Sequence, residues 1–363
     1  MADQPTLVLT GGGTAGHVAP NLALAPVLRE RGFAVAYIGA HDGMERELCA
    51  RAEIPFHPVH VGKLRRYLSA RHVVQNLIDP FRTVQGLFEA VAVLRRLEPR
   101  VVFSKGGFVG VPPVLAARLC GIPAVVHESD LSPGLANKIC FPFATRICVA
   151  YPETIERVAR PAKTVHTGTP IRREITQGDA ARARQRWQLA QGRPVVMVFG
   201  GSQGARAINQ AVRELVRRGT EWQFLHVCGA GQLDPSLDSQ RGYRQFEYLH
   251  AEWGDALACA DAVVCRGGAN SLTELLAVQR PAVVIPLPSV ASRGDQLENA
   301  ARFADRGYGL LLPQEKLTPA SLQDSIDELL RRSGELRDAM RRDAGFDSTE
   351  RVVAVLEGLA GRG

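Results

Sequence analysis

The chain has no C-x-x-C pair, and its seven cysteines, Cys49, Cys120, Cys140, Cys148, Cys228, Cys259 and Cys265, are odd in number and scattered. That pattern suggests neither a disulfide framework nor a zinc site, and a reducing cytosol is its simplest reading. No apolar run approaches the roughly 20 residues needed to span a bilayer. The amino terminus lacks a basic n-region and runs within a few residues into a strand-like Leu7-Val8-Leu9, so it does not read as a signal peptide. Aromatic residues make up only 6% and form no aromatic-basic platform, which gives a nucleic-acid role little support. The 35 glycines and 22 prolines follow no collagen-like or low-complexity period, which excludes a fibrous or disordered chain.

What is present is a length of 363 residues, more than one hydrophobic core usually organises, so two domains are expected. Lys and Arg number 44 against 37 Asp and Glu, a formal charge of +7 that favours an anionic partner without naming it. Short β-branched runs, 6–9, 34–38, 101–104, 124–127 and 147–149, alternate with segments of helical period. The same grammar restarts at 194–199 and recurs at 224–227, 262–265 and 282–285. This is an α/β pattern of two doubly wound, mainly parallel-sheet domains in tandem. Thr167-Gly168-Thr169-Pro170 punctuates them, giving expected domains of 1–168 and 169–345. A last helix within 346–363 can pack on either.

Each half opens with a strand that runs straight into glycines and then a helix: Gly11-Gly12-Gly13-Thr14-Ala15-Gly16-His17 and Gly200-Gly201-Ser202-Gln203-Gly204-Ala205-Arg206. Glycine lets the backbone pass close to a ligand, and the helix start behind it offers unpaired N–H groups and a positive dipole end to phosphate. The plain alternative is that such glycines only make tight turns. Gly11-x-Gly13-x-x-Gly16 also matches the dinucleotide fingerprint, which keeps an NAD-dependent oxidoreductase in view. Against it, the second strand ends in Gly39-Ala40-His41, where that fingerprint wants an acid. A third cluster, Ser104-Lys105-Gly106-Gly107-Phe108, lacks the spacing of a P-loop. In a fourth, Arg266-Gly267-Gly268-Ala269-Asn270-Ser271-Leu272-Thr273-Glu274, the acid is placed to accept from vicinal sugar hydroxyls or, equally, to close a capping box with Ser271 as N-cap.

Together with His127-Glu128-Ser129-Asp130, Gly134-Leu135-Ala136-Asn137-Lys138 and Asp295-Gln296-Leu297-Glu298-Asn299-Ala300, these blocks resemble, in order, the signatures of the MurG family. They cover most of the chain. The resemblance implies a GT-B glycosyltransferase, two Rossmann-like domains facing across a cleft, that serves peptidoglycan synthesis and so cell shape and division. Such an enzyme transfers GlcNAc from UDP-GlcNAc to the C4 hydroxyl of undecaprenyl-pyrophosphoryl-MurNAc-pentapeptide (lipid I), with inversion, giving lipid II and UDP. Another GT-B enzyme using UDP-GlcNAc, an epimerase or a soluble-acceptor transferase, is the alternative.

Carried over position by position, the resemblance implies that Ser202 and its turn bind diphosphate, with Arg172 also reaching the donor. It implies that Ala269, Asn270, Ser271, Leu272 and Thr273 supply helix-start amides, that Glu274 binds ribose, and that Asp295 and Gln296 contact GlcNAc. A backbone contact to uracil falls near His250. Thr14, Ala15, Gly16 and His17 match the turn facing the transferred sugar and the acceptor pyrophosphate. Where many members have Asn, this chain has Asp130, whose carboxylate cannot donate to a sugar oxygen, which weakens a donor contact there. Inversion needs a base: His17 is the candidate, since an ordinary imidazole accepts a proton near neutrality, and Glu128 is its understudy. The other reading of His17 is a helix-start histidine bonded to phosphate or backbone. No Asp-x-Asp pair occurs to hold a metal, so amides, helix dipoles and Arg172 are expected to neutralise the leaving diphosphate, with no cofactor.

The charge is uneven. Residues 62–82 carry Lys63, Arg65, Arg66, Arg71 and Arg82 against Asp79 alone, interleaved with apolar residues at near-helical spacing. Either those apolar residues are core, or the segment is a membrane-surface face on the cytoplasmic side of the membrane that holds the lipid-linked acceptor. At about 1 kcal/mol per basic residue near an anionic leaflet, such a face supports reversible attachment. Neutralising Lys63, Arg65, Arg66 and Arg71 together is expected to abolish cosedimentation with anionic vesicles; unchanged cosedimentation would refute the membrane reading.

Overall fold

A computed structural model describes residues 4–62, 70–201, 205–288, 294–343 and 347–361, with backbone alone over 70–78. The positions Lys63, Arg65, Arg66 and Ser202 lie outside the described residues, as does the side chain of Arg71. The chain divides into two compact units, Met1–Arg172 with Asp347–Gly363, and Arg173–Phe346.

Among the described residues of the first unit, seven strands form one sheet: β1 Thr6–Thr10, β2 Ala34–Ala40, β3 Phe56–Val59, β4 Val101–Ser104, β5 Ala124–Glu128, β6 Arg146–Val149 and β7 Thr164–His166. Their order is β3-β2-β1-β4-β5-β6-β7, and every pairing is parallel. The second unit holds β8 Val195–Phe199, β9 Gln223–Val227, β10 Tyr243–Phe246, β11 Ala262–Cys265, β12 Ala282–Val284 and β13 Gly309–Leu311, in the order β10-β9-β8-β11-β12-β13, again all parallel. Parallel strands need long crossovers, and the winding reverses between β1 and β4 and between β8 and β11. At such a reversal the connections leave toward opposite faces and open a crevice at the carboxyl ends of the strands.

The strands read as continuous apolar runs because both faces of each sheet are covered. In the first unit Val8, Ile38, Val102 and Val126 point into one core layer, while Leu7, Leu9, Tyr37, Phe103 and Cys148 point into the other. The last helix, Ser348–Ala360, belongs to this second layer. Its Val352, Val353 and Leu356 pack with Leu24 and Leu28 of the helix Ala15–Glu30. Burying three such side chains contributes roughly 1.5–3 kcal/mol each before entropy is subtracted. The Arg31–Glu350 pair, 2.6 Å apart and exposed, adds about 1 kcal/mol at most. Asp347 caps this helix by accepting from the amides of Thr349 and Glu350.

All seven cysteines are unpaired thiols, six of them buried, and burial pushes Cys49, Cys140, Cys148 and Cys265 up to about 12. They behave as small core residues.

The second unit encloses a buried histidine. His226 on β9 hydrogen-bonds Tyr243 Oη at 2.9 Å and Asn209 Oδ1 at 3.0 Å. Burial, reinforced by the Arg213 charge, pushes its imidazole down to about 3. A depressed folded value means stability that is full above the ordinary histidine value and is lost as pH falls toward about 3. Relative to wild type, His226→Gln is expected to lose about 2–3 kcal/mol less stability between pH 7 and pH 4.5, read from denaturant unfolding at each pH.

Candidate active site

At the reversal point of the first sheet, Thr10 of β1 and Ser104 of β4 sit in register, so the turns that follow them meet. The first turn begins at Gly11, whose φ of 137° is unfavourable for a side chain; a Cβ there would lie 3.0 Å from the His17 carbonyl and 3.1 Å from the Gly106 carbonyl. The second contains Gly107, at φ 74°, where a Cβ would come within 2.4 Å of the Gly12 carbonyl and 3.0 Å of the His17 ring. The two turns thus interlock backbone to backbone, with the His17 imidazole lying against Gly107.

Thr14 is the extended N-cap residue of the helix Ala15–Glu30, and the His17 amide donates to its carbonyl at 3.0 Å. Gly11 and Gly12 are buried, whereas Gly13, Thr14 and Gly16 are exposed and Ala15 and His17 half-buried. The turn therefore presents Gly13, Thr14 and Gly16 at the surface, with the imidazole half-exposed beside them.

Several residues that local sequence reading did not single out hold this turn. Tyr37 Oη donates to the Gly11 carbonyl at 2.5 Å and accepts from Asn21 Nδ2 at 3.0 Å, and Asn21 also donates to the Thr10 carbonyl. Glu45 is fully buried; it accepts from the Ala40 amide at 2.9 Å, its carboxyl fills the space a Cβ at Gly12 or Gly43 would need, and its Cγ with the Phe56 ring fills that beside Gly39. The run Gly39, Gly43, Glu45 was the available signal. The acid is turned onto the glycine turn, where the Gly13 amide also approaches its Oε2 at 3.5 Å.

Lys105 is the other unheralded residue. It is fully buried, donates to the Ser129 hydroxyl, and faces the charges of Glu128 and Asp130. Burial pushes its ammonium down to about 8, against the opposing pull of those two carboxylates. Glu128 accepts from the Asp130 amide, the Gly134 amide and Asn137 Nδ2, each at 2.9 Å. Three donors converge on its carboxylate, which orders the loop 128–137. Asp130 is half-buried on that loop. His127, buried and held well below the usual histidine range by desolvation, is tied to the Gly168 carbonyl at 2.7 Å.

At the reversal point of the second sheet, Phe199 of β8 and Cys265 of β11 are in register. The turn after β8 shows Gly200 and Gly201, then Ala205 as N-cap residue of the helix Arg206–Arg218. The turn after β11 leads into the helix Ala269–Ala277, whose N-cap residue is Gly268. This corrects the capping-box alternative: Ser271 lies inside the helix, and the Glu274 carboxylate accepts from Trp253 Nε1 at 3.2 Å. Trp253 packs edge-on against Phe199, 4.9 Å between ring centres, and so links the end of β8 to Glu274.

A second correction concerns the helix-start amides. The Leu272 amide already donates to the Gly268 carbonyl at 3.1 Å and its side chain is buried, while the Thr273 hydroxyl donates to the Ala269 carbonyl at 2.9 Å. The Leu272 amide is therefore spent inside the helix, whose first turn is formed by Ala269, Asn270 and Ser271.

Asp295 and Gln296 open the helix Asp295–Asp305 behind Gly294, at φ 84°, and a Cβ on Gly267 would strike the Gln296 carbonyl at 2.4 Å. They therefore sit beside the same turn, with Gln296 Oε1 accepting from the Leu287 amide at 3.1 Å. Arg266 is buried beneath, donating to the carbonyls of Ile285 and Pro286. His250 is exposed, its carbonyl accepting from the Trp253 amide at 3.2 Å. Arg172 ends the first unit, with a buried Nε that has no hydrogen-bond partner.

The depressed Lys105 carries a signed consequence. Between about pH 8 and the unfolded value the native state sheds a proton that the unfolded chain keeps, so native stability rises with pH there. The stability of wild type relative to Lys105→Met is expected to increase by about 3 kcal/mol between pH 7.5 and pH 10.5, measured by denaturant unfolding.

Comparison with known proteins places this geometry. Residues 7–149 match the glycosyltransferase family 28 N-terminal domain and residues 195–353 its C-terminal domain. A UDP-N-acetylglucosamine--N-acetylmuramyl-(pentapeptide) pyrophosphoryl-undecaprenol N-acetylglucosamine transferase of Lachnoclostridium phytofermentans is 43% identical over 352 residues, covering 97% of this chain and 98% of that protein. The protein of the same name from Geobacillus kaustophilus is 44% identical over 356 residues, 98% of each chain. Among solved structures, Acinetobacter baumannii MurG superposes with a TM-score of 0.74 at 26% identity, over 98% of this chain and 99% of that one. The calicheamicin glycosyltransferase CalG4, at 18% identity and a TM-score of 0.70 over 100% and 99% of the two chains, shares the fold. Two parallel doubly wound sheets, each with its glycine turns at the reversal point, are the GT-B architecture, and the chain belongs to the MurG family of glycosyltransferase family 28.

Proposed function

We propose that this chain transfers GlcNAc from UDP-GlcNAc to the C4 hydroxyl of the MurNAc unit of lipid I, giving lipid II and UDP with inversion at the anomeric carbon. The observation that carries the reading is the pairing of two unlike sites. One unit presents a glycine turn with a half-exposed imidazole, and the other a glycine turn that opens directly into a helix, a tryptophan-anchored carboxylate and the Asp295-Gln296 pair.

In the second unit, Ala269, Asn270 and Ser271 would donate their amides to the diphosphate, joined by Ser202. Glu274, fixed by Trp253, would accept from the ribose hydroxyls, and Asp295 and Gln296 would hold the GlcNAc hydroxyls. In the first unit, Thr14, Ala15 and Gly16 would offer amides to the acceptor pyrophosphate. His17 takes the proton of the C4 hydroxyl as its oxygen bonds to the anomeric carbon from the face opposite UDP. The bond from that carbon to the diphosphate oxygen breaks, and the electron pair leaves on UDP. Fixed amides suit this charge because they need no reorganisation as it develops. Glu128 supports the step from behind, by ordering the loop that carries Asp130.

The same reading assigns the protein to the cytoplasmic face of the membrane as a peripheral enzyme. No helix among the described residues is long and apolar enough to cross a membrane. The helix Ala70–Leu97 nevertheless bears Phe81 and Phe88, 77% and 70% exposed, with exposed Val84 between them. Spacings of three and four residues put these side chains on one face, next to Arg82. An exposed apolar stripe that follows a basic segment in the sequence favours a lipid surface over a core.

The deciding experiment is transfer of labelled GlcNAc from UDP-GlcNAc to a lipid I analogue in excess EDTA. Wild type is expected to form the lipid II analogue. His17→Ala is expected to keep UDP-GlcNAc affinity within about twofold while kcat falls by about 10²–10⁴. No transfer by wild type refutes the acceptor assignment, and equal losses in donor affinity and kcat/KM would make His17 a binding residue.

A further inference from the structure

On the carboxyl edge of the first unit's sheet, apart from every residue assigned above, three side chains from three elements converge. His41 follows β2, His60 follows β3, and Glu89 lies on the helix Ala70–Leu97. One ligand atom from each lies within 4.8 Å of the other two. His60 Nδ1 and Glu89 Oε1 are 2.7 Å apart, and the His41 and His60 rings have centroids 4.5 Å apart at an angle of 51°.

We propose that His41, His60 and Glu89 form a binding site for one divalent transition-metal ion of the Zn²⁺ class. Two imidazoles and one carboxylate are the donor set that borderline ions prefer, whereas Mg²⁺ and Ca²⁺ favour all-oxygen shells. Three protein ligands leave a fourth tetrahedral position for water. With metal–ligand bonds of about 2.0–2.2 Å, neighbouring donors stand about 3.3 Å apart, so the site closes by small rotations of half-buried rings.

The surroundings already hold two of the three ligands. The second Glu89 oxygen accepts from the His60 amide at 2.7 Å, and Gln85 Nε2 donates to Oε1 at 3.0 Å. Such outer bonds orient a ligating carboxylate. The helix reaches this close because of Gly86, where a Cβ would lie 1.8 Å from the His60 carbonyl. Glu89, one turn further along, is thereby brought to the edge of the sheet. Bound metal would clip the exits of β2 and β3 to the helix, and an ion that binds only the native state stabilises it by mass action.

The test uses the full-length, tag-free chain stripped with EDTA and then dialysed. Titration with ZnCl₂ by calorimetry is expected to show one equivalent, Co²⁺ to give the visible absorption of a four-coordinate ion, and Zn²⁺ to raise the unfolding midpoint. His41→Ala, which breaks no hydrogen bond among the described residues, and His60→Ala are each expected to weaken Zn²⁺ binding at least tenfold, roughly the scale of a lost ligand or its support, while UDP binding stays unchanged. Absence of stoichiometric Zn²⁺ binding by wild type, or equal binding by both variants, overturns the proposal.

Discussion

The molecule depends on backbone passing backbone where a parallel sheet reverses its winding. β1 must turn into a helix within four residues while the turn after β4 packs on it, and the contact between Gly107 and the Gly12 carbonyl leaves no room for a side chain. The same constraint recurs in the second unit, where Gly267 lies against the Gln296 backbone. Each close approach sets a helix start behind a glycine turn, which is the physical basis of an anion site. His17 is aligned by this contact, because its ring rests on Gly107.

Behind these turns the structure places charge in dry surroundings. Glu45 sits under the first turn, and Lys105 sits among Ser129, Glu128 and Asp130. Such groups are costly to bury and are tolerated when neighbours satisfy them. Here they tie loops to strands: Glu45 links the exit of β2 to the glycine turn, and Lys105 links β4 to the loop after β5. The Asp130 departure from the common family residue acquires a local explanation, since the Lys105 ammonium faces it.

The proposed division of labour between the units rests on what each reversal point carries. The first has a histidine at the third helical residue and exposed turn residues around it. The second has Trp253 bracing Glu274, and a second helix start at Asp295 set beside the first. A nucleotide sugar offers diphosphate, vicinal hydroxyls and a pyranose, and the proposal gives the second unit a group for each. The acceptor offers a hydroxyl to deprotonate and a pyrophosphate to hold, which suits the first.

Much of this was legible in the sequence. The central strands of both sheets were readable because they are buried on both faces and so carry unbroken β-branched runs. The glycine blocks were readable in part because close approach at Gly11, Gly12, Gly107 and Gly267 leaves no room for a side chain. The four strands that escaped, β3, β7, β10 and β13, are the outermost strands of their sheets. An edge strand is covered on fewer sides, so β3 tolerates Pro58 and β10 mixes Arg244 and Gln245 with its aromatics. Tertiary structure alone decided that the helix begins at Ala269 and not after Ser271, which spends the Leu272 amide inside the helix. It alone revealed Trp253, Tyr37, Glu45 and Lys105 as supports of the site, because each acts through a partner distant in sequence. Local pattern determines which segments turn and which span; which side chain meets which is set by the register of strands and the packing of helices between them.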